Sequence, residues 1–216
     1  YKYRNFVCIS FNFTFDTRKL LRYNNDTMQR LIVASSNKGK IKEIRMLADD
    51  RFDVVSMKDA GIDVDVDENG STFEENALIK AKAIYELCHA PVISDDSGLM
   101  VDALGGEPGV YSARYAGSGH DDAANNAKLL ENLRGKSDRS ARFCSAVVYY
   151  DGNRTEIAKG YVEGKIADSP RGANGFGYDP LFIADELGKT FGEATDEEKN
   201  AISHRARALR ALFKLI

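Results

Sequence analysis

The chain has few cysteines, and their pattern excludes two kinds of cross-linked protein. It contains three cysteines, Cys8, Cys88 and Cys144, which is an odd number. Their spacing matches neither a zinc-binding pattern nor a disulfide framework. Scattered cysteines of this kind fit a reducing compartment, so we expect a cytoplasmic protein.

The chain also lacks long apolar runs and a large excess of charge of either sign. No apolar run is long enough to span a bilayer. The formal net charge of −3 gives no electrostatic reason to expect a nucleic acid or an anionic membrane as partner, although a local cationic pocket is still possible. We therefore expect neither nucleic acid nor membrane among the partners.

The composition nevertheless allows a substantial core. Hydrophobic residues make up 43% of the 216 residues and charged residues 29%, which predicts one soluble domain, with or without two lobes. Residues 1–27 are rich in Tyr, Phe, Asn and Arg and lack helical periodicity. We expect residues 28–216 to form the functional domain, and residues 1–27 to be an N-terminal extension of unknown role, an artefact or a misplaced start. A basic transit peptide is the alternative, which Asp16 and Asp26 weaken.

Hydrophobic periodicity predicts strands and helices in alternation from Met28 onward. Strands are predicted at residues 31–34, 52–55, 91–94, 141–150 and 154–163. The last two flank Asp151-Gly152-Asn153, a sequence typical of a β-hairpin turn. Strands that alternate with helices, together with a hairpin, predict an α/β fold in which a mixed sheet is flanked by helices.

Capping residues predict where three helices begin. Thr72 and Glu75 form a capping box, and Thr195 and Glu198 form another, which is expected to open one final helix. Asp121 is a plausible N-cap between these two helices.

Two adjacent carboxylates are the most informative feature of the sequence. Asp95 and Asp96, with Ser97, follow the apolar run at 91–94, so we expect them where a buried strand ends and the chain turns. Ligands of open α/β sheets gather at such strand ends. Glu68 plus Asp96 would satisfy Mg²⁺, which typically takes one or two protein carboxylates. A second free carboxylate, Asp95 or Asp96, could accept a proton from an attacking water. The alternative is an ordinary turn.

A polar loop between the first strand and the first helix resembles a phosphate cradle. Backbone N–H groups at a helix N-terminus favour anions, and several side chains add donors or charge here: Ser35, Ser36, Asn37, Lys38, Gly39 and Lys40. The loop is not a Walker A sequence, because the first glycine and the Gly-Lys-Ser/Thr order are missing. An ordinary strand-to-helix turn is the alternative.

A glycine-rich aromatic loop and a basic cluster follow towards the C-terminus. The loop contains Phe176, Gly177, Tyr178 and Asp179, and its rings either form a platform for a flat base or fill the core. The cluster contains Lys199, Ser203, His204 and Arg205, which are either ligands or a solvated helix face. A Ser-His-Asp hydrolase is possible in principle, but no nucleophile elbow is present.

Taken together, these segments resemble one family. The chain is similar to the inosine triphosphate pyrophosphatases, the noncanonical purine nucleoside triphosphatases of the Ham1 or RdgB type, from about Met28 to the C-terminus. The resemblance is carried, in this order, by Ser35-x-Asn37-x-Gly39-Lys40, Phe73-x-Glu75-Asn76-Ala77, Asp95-Asp96-Ser97-Gly98-Leu99, Pro108-Gly109-Val110-Tyr111-Ser112-Ala113-Arg114-Tyr115, Gly175-Phe176-Gly177-Tyr178-Asp179-Pro180 and Ser203-His204-Arg205.

The resemblance implies a fold and a reaction. The fold is an elongated α/β structure with two lobes around a mixed sheet and a central nucleotide-binding cleft, in most members a homodimer. The reaction is Mg²⁺-dependent hydrolysis of ITP, dITP or XTP to the monophosphate and pyrophosphate, which removes deaminated purines from the nucleotide pool. The alternatives are a Maf-like pyrophosphatase acting on other nucleotides and a nucleotide-binding module without catalysis.

The resemblance also implies roles for individual residues. Asp96 is expected to be the catalytic base and a metal ligand, with Glu68 as the second ligand and Asp67 competing for that position. Residues 35–40 are expected to hold the phosphates, with Ser97 beside the substrate. The base and sugar are expected to contact Phe176, Gly177, Tyr178 and Asp179. The nucleotide pocket is expected to be completed by Lys199, His204 and Arg205. We further predict that Arg205, with His204, donates to the purine 6-oxo group while Phe176 stacks on the ring.

Overall fold

The computed structural model describes residues 28–118 and 121–216. The prediction of an N-terminal extension lies outside these residues. The helices are α1 Lys38–Leu47, α2 Phe73–Cys88, α3 Asp122–Asn132, α4 Asp196–Ile202 and α5 His204–Leu212. The strands are β1 Gln29–Val33, β2 Phe52–Ser56, β3 Val92–Val101, β4 Ser140–Tyr150, β5 Thr155–Ile166, β6 Phe182–Ala184 and β7 Lys189–Thr190. Two 3₁₀ helices span Asp102–Leu104 and Gly109–Arg114.

The strands form one mixed sheet of seven in the order β2-β1-β3-β4-β5-β6-β7. β1 pairs in parallel with β2 and β3, and the pairs from β3 to β7 are antiparallel. The predicted mixed sheet and the hairpin around Asp151-Gly152-Asn153 are therefore confirmed. Both capping boxes are also present, and the Asp121 side chain caps α3 by accepting from the backbone N–H of Ala124.

The strand that carries the two aspartates does not end where the sequence predicted. β3 continues through Asp95, Asp96 and Ser97 and pairs with β4 along its whole length, from Val92 to Val101. Its other neighbour, β1, pairs only with Val92 and Ile93. The segment Asp95-Asp96-Ser97-Gly98 favours a turn by composition, but it forms a strand because all ten residues of β3 pair with β4. The carboxylates lie in mid-strand, beside the point where β1 ends and one edge of β3 becomes available.

Alternation along β3 assigns its side chains to two helical layers. Ile93 packs in the layer that contains α1 and α5, whereas Val92 packs in the layer that contains α2. Successive side chains of a strand point to opposite faces of the sheet. Asp95 therefore faces α1 and α5, and Asp96 faces α2. A third core, which includes Leu99 and Phe182, lies towards the far end of the sheet.

The single C-terminal helix predicted from the second capping box is two helices. Ser203 ends α4 with an extended backbone, ψ 154°, and its side chain accepts from the backbone N–H of Ala206 to open α5. Serine competes with the helix backbone for hydrogen bonds in this way. His204 and Arg205 therefore occupy the first turn of a new helix.

A glycine lets this new helix approach the sheet closely. A Cβ added at Gly160 of β5 would lie 2.1 Å from the carbonyl oxygen of His204 and 2.5 Å from the nitrogen of Ala208. Only a residue without a side chain allows such contact between a strand and a helix backbone. Gly160 therefore helps to place His204 and Arg205 over the sheet.

Within residues 28–118 and 121–216, every helix is too short or too polar to traverse a membrane.

Candidate active site

A cavity of about 490 Å³ lies where β1, β3, α1, α2 and α5 meet. Its wall contains most of the residues that the sequence singled out: Ser35, Ser36, Asn37, Lys40, Glu68, Asp96, Ser97, Phe176, Gly177, Tyr178, Asp179, Lys199, His204 and Arg205. Lys38 and Gly39 were also predicted to bind substrate, but they do not line it. The volume is in the range of small-molecule sites.

The polar loop that was predicted to bind phosphates, residues 35–40, leads into α1 at one end of the cavity. Asn37 is the N-cap, and its side chain accepts from the backbone N–H of Lys40 at 3.0 Å. Ser35 Oγ accepts in turn from the backbone N–H of Asn37 at 3.2 Å. Gly39 has a packing role that the sequence did not predict, because a Cβ there would lie 2.4 Å from the ring of Phe176. The glycine allows the aromatic loop to pack against α1.

Asp95 is held by a complete set of donors in the α1 and α5 layer. Lys40 Nζ lies 2.9 Å from its Oδ2, Arg205 Nη2 lies 3.2 Å away, and hydroxyl groups of Ser97 and Ser145 donate to it. Burial opposes ionisation, but Arg205 and Lys40 outweigh it and hold the pKa of Asp95 well below its usual range. Asp95 is thus ionised at neutral pH, and both of its carboxylate oxygens already accept from donors.

Asp96 has the opposite character on the α2 side of the strand. Burial raises its pKa, and the ammonium groups of Lys80 and Lys40 only partly offset this. Asn76 Nδ2 donates to its Oδ2 at 3.3 Å, and Lys80 Nζ lies 3.4 Å from its Oδ1. Of the two adjacent carboxylates, Asp96 is therefore the one suited to accept a proton.

Two carboxylates converge on one cation beside Asp96. Lys80 Nζ lies 3.0 Å from Glu68 Oε2 and also contacts Asp96. Glu68 lines the cavity, whereas Asp67 is exposed and does not. Two carboxylates that already stabilise a positive charge form a donor set that suits Mg²⁺, which completes its shell with water and phosphate oxygens. The residues present therefore fit a divalent metal.

Lys80 was not predicted from the sequence. It lies one helical turn after Asn76 on α2, and both side chains contact Asp96. Spacing of four residues on a helix that also carries a capping box would have indicated a shared face. Nothing local indicated that this face meets β3, because the two elements are brought together only by the tertiary fold.

A buried charge network joins α1, α4 and α5 at the other end of the cavity. Glu43 accepts from Arg205, and one of its oxygens lies 2.7 Å from Lys199 Nζ. Lys199 also lies 2.6 Å from Asp179, and Arg205 Nη2 donates to Ser97 Oγ at 2.8 Å. Burial opposes ionisation of Glu43, but Arg205 and Lys199 dominate and lower its pKa to about 2. Glu43 was also missed, although it follows Lys40 by one turn of α1.

His204 is buried, lines the cavity and stacks on Phe143, with ring centroids 4.7 Å apart and an interplanar angle of 13°. Burial and the neighbouring Arg205 lower the pKa of His204 well below its usual range, so the ring is neutral at pH 7. Four buried side-chain polar atoms lack a hydrogen-bond partner among the described residues, and two of them, Nδ1 of His204 and Nε of Arg205, belong to residues that line this cavity. Buried polar atoms rarely stay unpaired, which favours a ligand here.

The aromatic loop is held from the side of the core. Asp179 Oδ2 accepts from the backbone N–H of Phe176 at 2.8 Å, and the hydroxyl of Tyr178 donates to the carbonyl of Ser112 at 2.9 Å. Tyr178 belongs to the hydrophobic core, so its ring fills the interior as the alternative interpretation proposed. Phe176 is half-buried and lies beneath Lys199 Nζ, 4.8 Å from the ring centroid.

Known proteins of similar sequence and solved structures of similar fold place this chain in a family. A dITP/XTP pyrophosphatase of Bacillus subtilis (strain 168) is 50% identical over 193 residues, covering 88% of this chain and 98% of that protein. A dITP/XTP pyrophosphatase of Treponema denticola is 47% identical, covering 87% and 98%. Among solved structures, the Ham1 protein of Staphylococcus aureus has a TM-score of 0.78 at 44% identity, covering 87% of this chain and 97% of that one. A HAM1 protein from Coxiella burnetii has a TM-score of 0.79 at 40% identity, covering 87% and 98%.

The mixed sheet predicted from sequence is thus confirmed by solved relatives as well as by the strand pairing. The family model described as the Ham1 family matches residues 31–215, which is most of the sequence. The chain belongs to the Ham1 family.

Proposed function

We propose that this protein hydrolyses noncanonical purine nucleoside triphosphates, such as ITP, dITP and XTP, to the monophosphate and pyrophosphate. The observation that carries the proposal is the contrast between two neighbouring carboxylates. Asp95 is saturated by cations and hydroxyls, whereas the pKa of Asp96 is raised inside a cavity of nucleotide size. Relatives about half identical that are named dITP/XTP pyrophosphatases support the substrate class.

The chain's own residues account for the hydrolytic step. Asp96 accepts the proton of the water that attacks the α-phosphorus, and the bond to pyrophosphate breaks. Lys40, at the first turn of α1, neutralises charge on the departing pyrophosphate together with the N–H groups of the helix N-terminus. Asn76 orients the Asp96 carboxylate through its amide.

Glu68 and Asp96 would hold Mg²⁺, which when bound would neutralise phosphate charge. Lys80 lies between these two carboxylates, and its positive charge offsets the repulsion between them.

The base-binding end of the cavity supports selection of a 6-oxo purine. Arg205 Nη1 and Nη2 already donate to carboxylates and to Ser97, whereas its Nε has no hydrogen-bond partner and is the nitrogen that we assign to a ligand acceptor. A buried donor that meets a 6-amino group instead of a 6-oxo group stays unpaired, which is costly. This supports the predicted preference for inosine and xanthine over adenine nucleotides.

The test is a panel of nucleoside triphosphates with detection of pyrophosphate against orthophosphate. We expect pyrophosphate from ITP, dITP and XTP and little product from ATP or UTP. Pyrophosphate from modified UTP but not from ITP would favour a Maf-like enzyme. Binding of ITP without any product would favour a silent nucleotide-binding module.

Chelation provides a separate test of the metal. We expect EDTA to abolish turnover and an excess of Mg²⁺ to restore it. Glu68 and Asp96 would hold the cation that neutralises the charge of the phosphates, and EDTA removes this cation. The measurement is the initial rate of pyrophosphate release before and after dialysis. Turnover that is insensitive to EDTA would contradict the metal proposal and leave the Asp96 proposal intact.

We also propose that residues 28–216 are sufficient for activity. The family match begins at residue 31, and β1 begins at Gln29. Removing residues 1–27 is expected to change kcat/KM by less than about twofold. The melting temperature Tm is expected to change by no more than a few degrees. A large loss of either quantity in the shortened chain would show that residues 1–27 contribute to the domain.

We further propose that the protein acts in the cytoplasm as a homodimer, in line with its scattered cysteines and with the family resemblance. Analytical ultracentrifugation of the full chain tests the oligomeric state, and a monomer at micromolar concentration would contradict it.

A further inference from the structure

The aromatic loop at residues 175–180, here named the base loop, lies between two cavities. Phe176 and Gly177 line the active-site cavity, and both also line a second cavity of about 500 Å³. The other wall of that second cavity is formed by α3 with apolar groups such as Leu130, and by Pro170. Packing against α1 and the core therefore supports the inner side of the base loop, whereas its outer side faces a cavity and is poorly packed.

Two side chains of α3 hold the loop at one residue. Asp122 Oδ2 accepts from the backbone N–H of Gly177 at 2.7 Å, and Asn126 Nδ2 donates to the carbonyl of Gly177 at 2.9 Å. The two side chains are four residues apart and so share one face of the helix. Gly177 has φ +62°, a conformation that glycine adopts without strain. Both backbone polar groups of the residue after Phe176 are thus satisfied by α3.

The same helix also holds the segment on the other side of the cavity. Asn125 accepts from the backbone N–H of Ala116 at 2.7 Å and donates to the carbonyl of Ala113 at 3.2 Å. Ala113 lines the active-site cavity, as Asp122 does. α3 therefore fixes two loops of the cavity wall relative to each other, although Asn125 and Asn126 do not line that cavity.

We propose that Asp122 and Asn126 are positioning residues that fix the base loop and thereby set the affinity for the purine base. The proposal rests on the function proposed above and on the prediction from the sequence that Phe176 stacks on the purine ring. Asp96, Lys40 and Lys80 contact neither α3 residue, so the phosphate end and the proton transfer do not depend on this contact. The predicted result is a defect in KM with kcat largely retained.

The kinetic experiment compares Asn126→Ala with Asn132→Ala in the full chain. Asn132 lies on the same helix but donates to the hydroxyl of Tyr115 and not to the base loop. We expect Asn126→Ala to raise KM for ITP about tenfold, the loss expected for one hydrogen bond, and to change kcat by less than about twofold. Asn132→Ala should leave KM within about twofold. Equal effects of the two variants, or a loss confined to kcat, would overturn the proposal.

A conservative variant separates positioning from general destabilisation. Asp122→Asn keeps an oxygen that accepts from the Gly177 N–H, whereas Asp122→Ala removes it. We expect Asp122→Asn to retain a KM close to that of the unmodified protein and Asp122→Ala to raise it about tenfold. Affinity for inorganic tripolyphosphate, measured by calorimetry, should stay unchanged in both. A matching loss of tripolyphosphate affinity would show a structural defect instead.

Amide hydrogen exchange makes the result independent of catalysis. Peptides that cover residues 175–180 should exchange faster in Asp122→Ala and Asn126→Ala than in the unmodified protein, and at an unchanged rate in Asn132→Ala. If the unmodified protein releases no pyrophosphate from ITP, the proposed function fails. The exchange measurement still tests whether Asp122 and Asn126 hold the base loop in place. Unchanged exchange in both α3 variants would refute the positioning role whatever the substrate.

Discussion

Asp96→Asn is expected to reduce turnover of ITP by about a hundredfold or more while the protein remains folded. The amide has almost the same shape as the carboxylate, but it accepts no proton from water and contributes no charge to a metal. Asn76 and Lys80 still surround the side chain, so packing around β3 is preserved. The measurement is the initial rate of pyrophosphate release, together with thermal unfolding.

Asp102→Asn is the matched control for this prediction. Asp102 follows β3 directly, is exposed and accepts from Arg142 at the surface, outside the cavity wall. The same chemical change there should leave turnover within about twofold, since exposed ion pairs contribute little. If Asp96→Asn turned over ITP as fast as Asp102→Asn, Asp96 would not be the base.

Arg205→Ala is expected to lower the free energy of unfolding by about 3–5 kcal/mol, more than any other substitution proposed for this protein. Arg205 is 1% exposed and is the cation shared by Glu43 and Asp95. Its removal leaves two buried carboxylates with one cationic partner fewer, and Nη2 no longer donates to Ser97. Urea unfolding without substrate measures this loss directly.

Arg207→Ala on the same helix is the control. Arg207 pairs with Glu186 at the surface, where both side chains are 40% or more exposed, so we expect a loss of about 1 kcal/mol or less. Similar losses for Arg205→Ala and Arg207→Ala would contradict the idea that the buried network depends on Arg205.

The same Arg205 variant also tests whether this side chain recognises the purine base. If Nε donates to the 6-oxo group, kcat/KM should fall more for ITP than for ATP, by about tenfold for one hydrogen bond. If Arg205 acts only through the network, both nucleotides should lose the same factor. An unchanged ratio of ITP to ATP would exclude base readout.

Local chemistry explains which parts of the molecule could be predicted from its sequence. The capping boxes at Thr72 and Thr195 and the Asp-Gly hairpin turn act over three or four residues, and all are present. Asp96, Lys40 and Arg205 were singled out because reactive side chains occur in short segments with recognisable spacing, and they line one cavity. Their roles there stay predictions.

Long-range contacts explain what could not be predicted. β3 passes through Asp95-Asp96-Ser97-Gly98 because β4 pairs with every residue of it and because Lys40, Lys80 and Arg205 offset the buried charge. No local signal carries this information. Glu43 and Lys80 were missed for the same reason, since each acquires its partners only when helices distant in sequence pack on the sheet.

The alternation of side chains along β3 also restricts how this protein can change in length. Asp95 and Asp96 depend on opposite layers, one with Arg205 and the other with Lys80. Inserting or deleting one residue between Val92 and Asp95 would exchange these layers for every following side chain of the strand. Each carboxylate would then meet the other's partners, and Leu99 and Val101 would leave their core. Insertions and deletions are therefore expected to accumulate in the surface loops of this chain, and β3 to keep a constant length among variants that remain active.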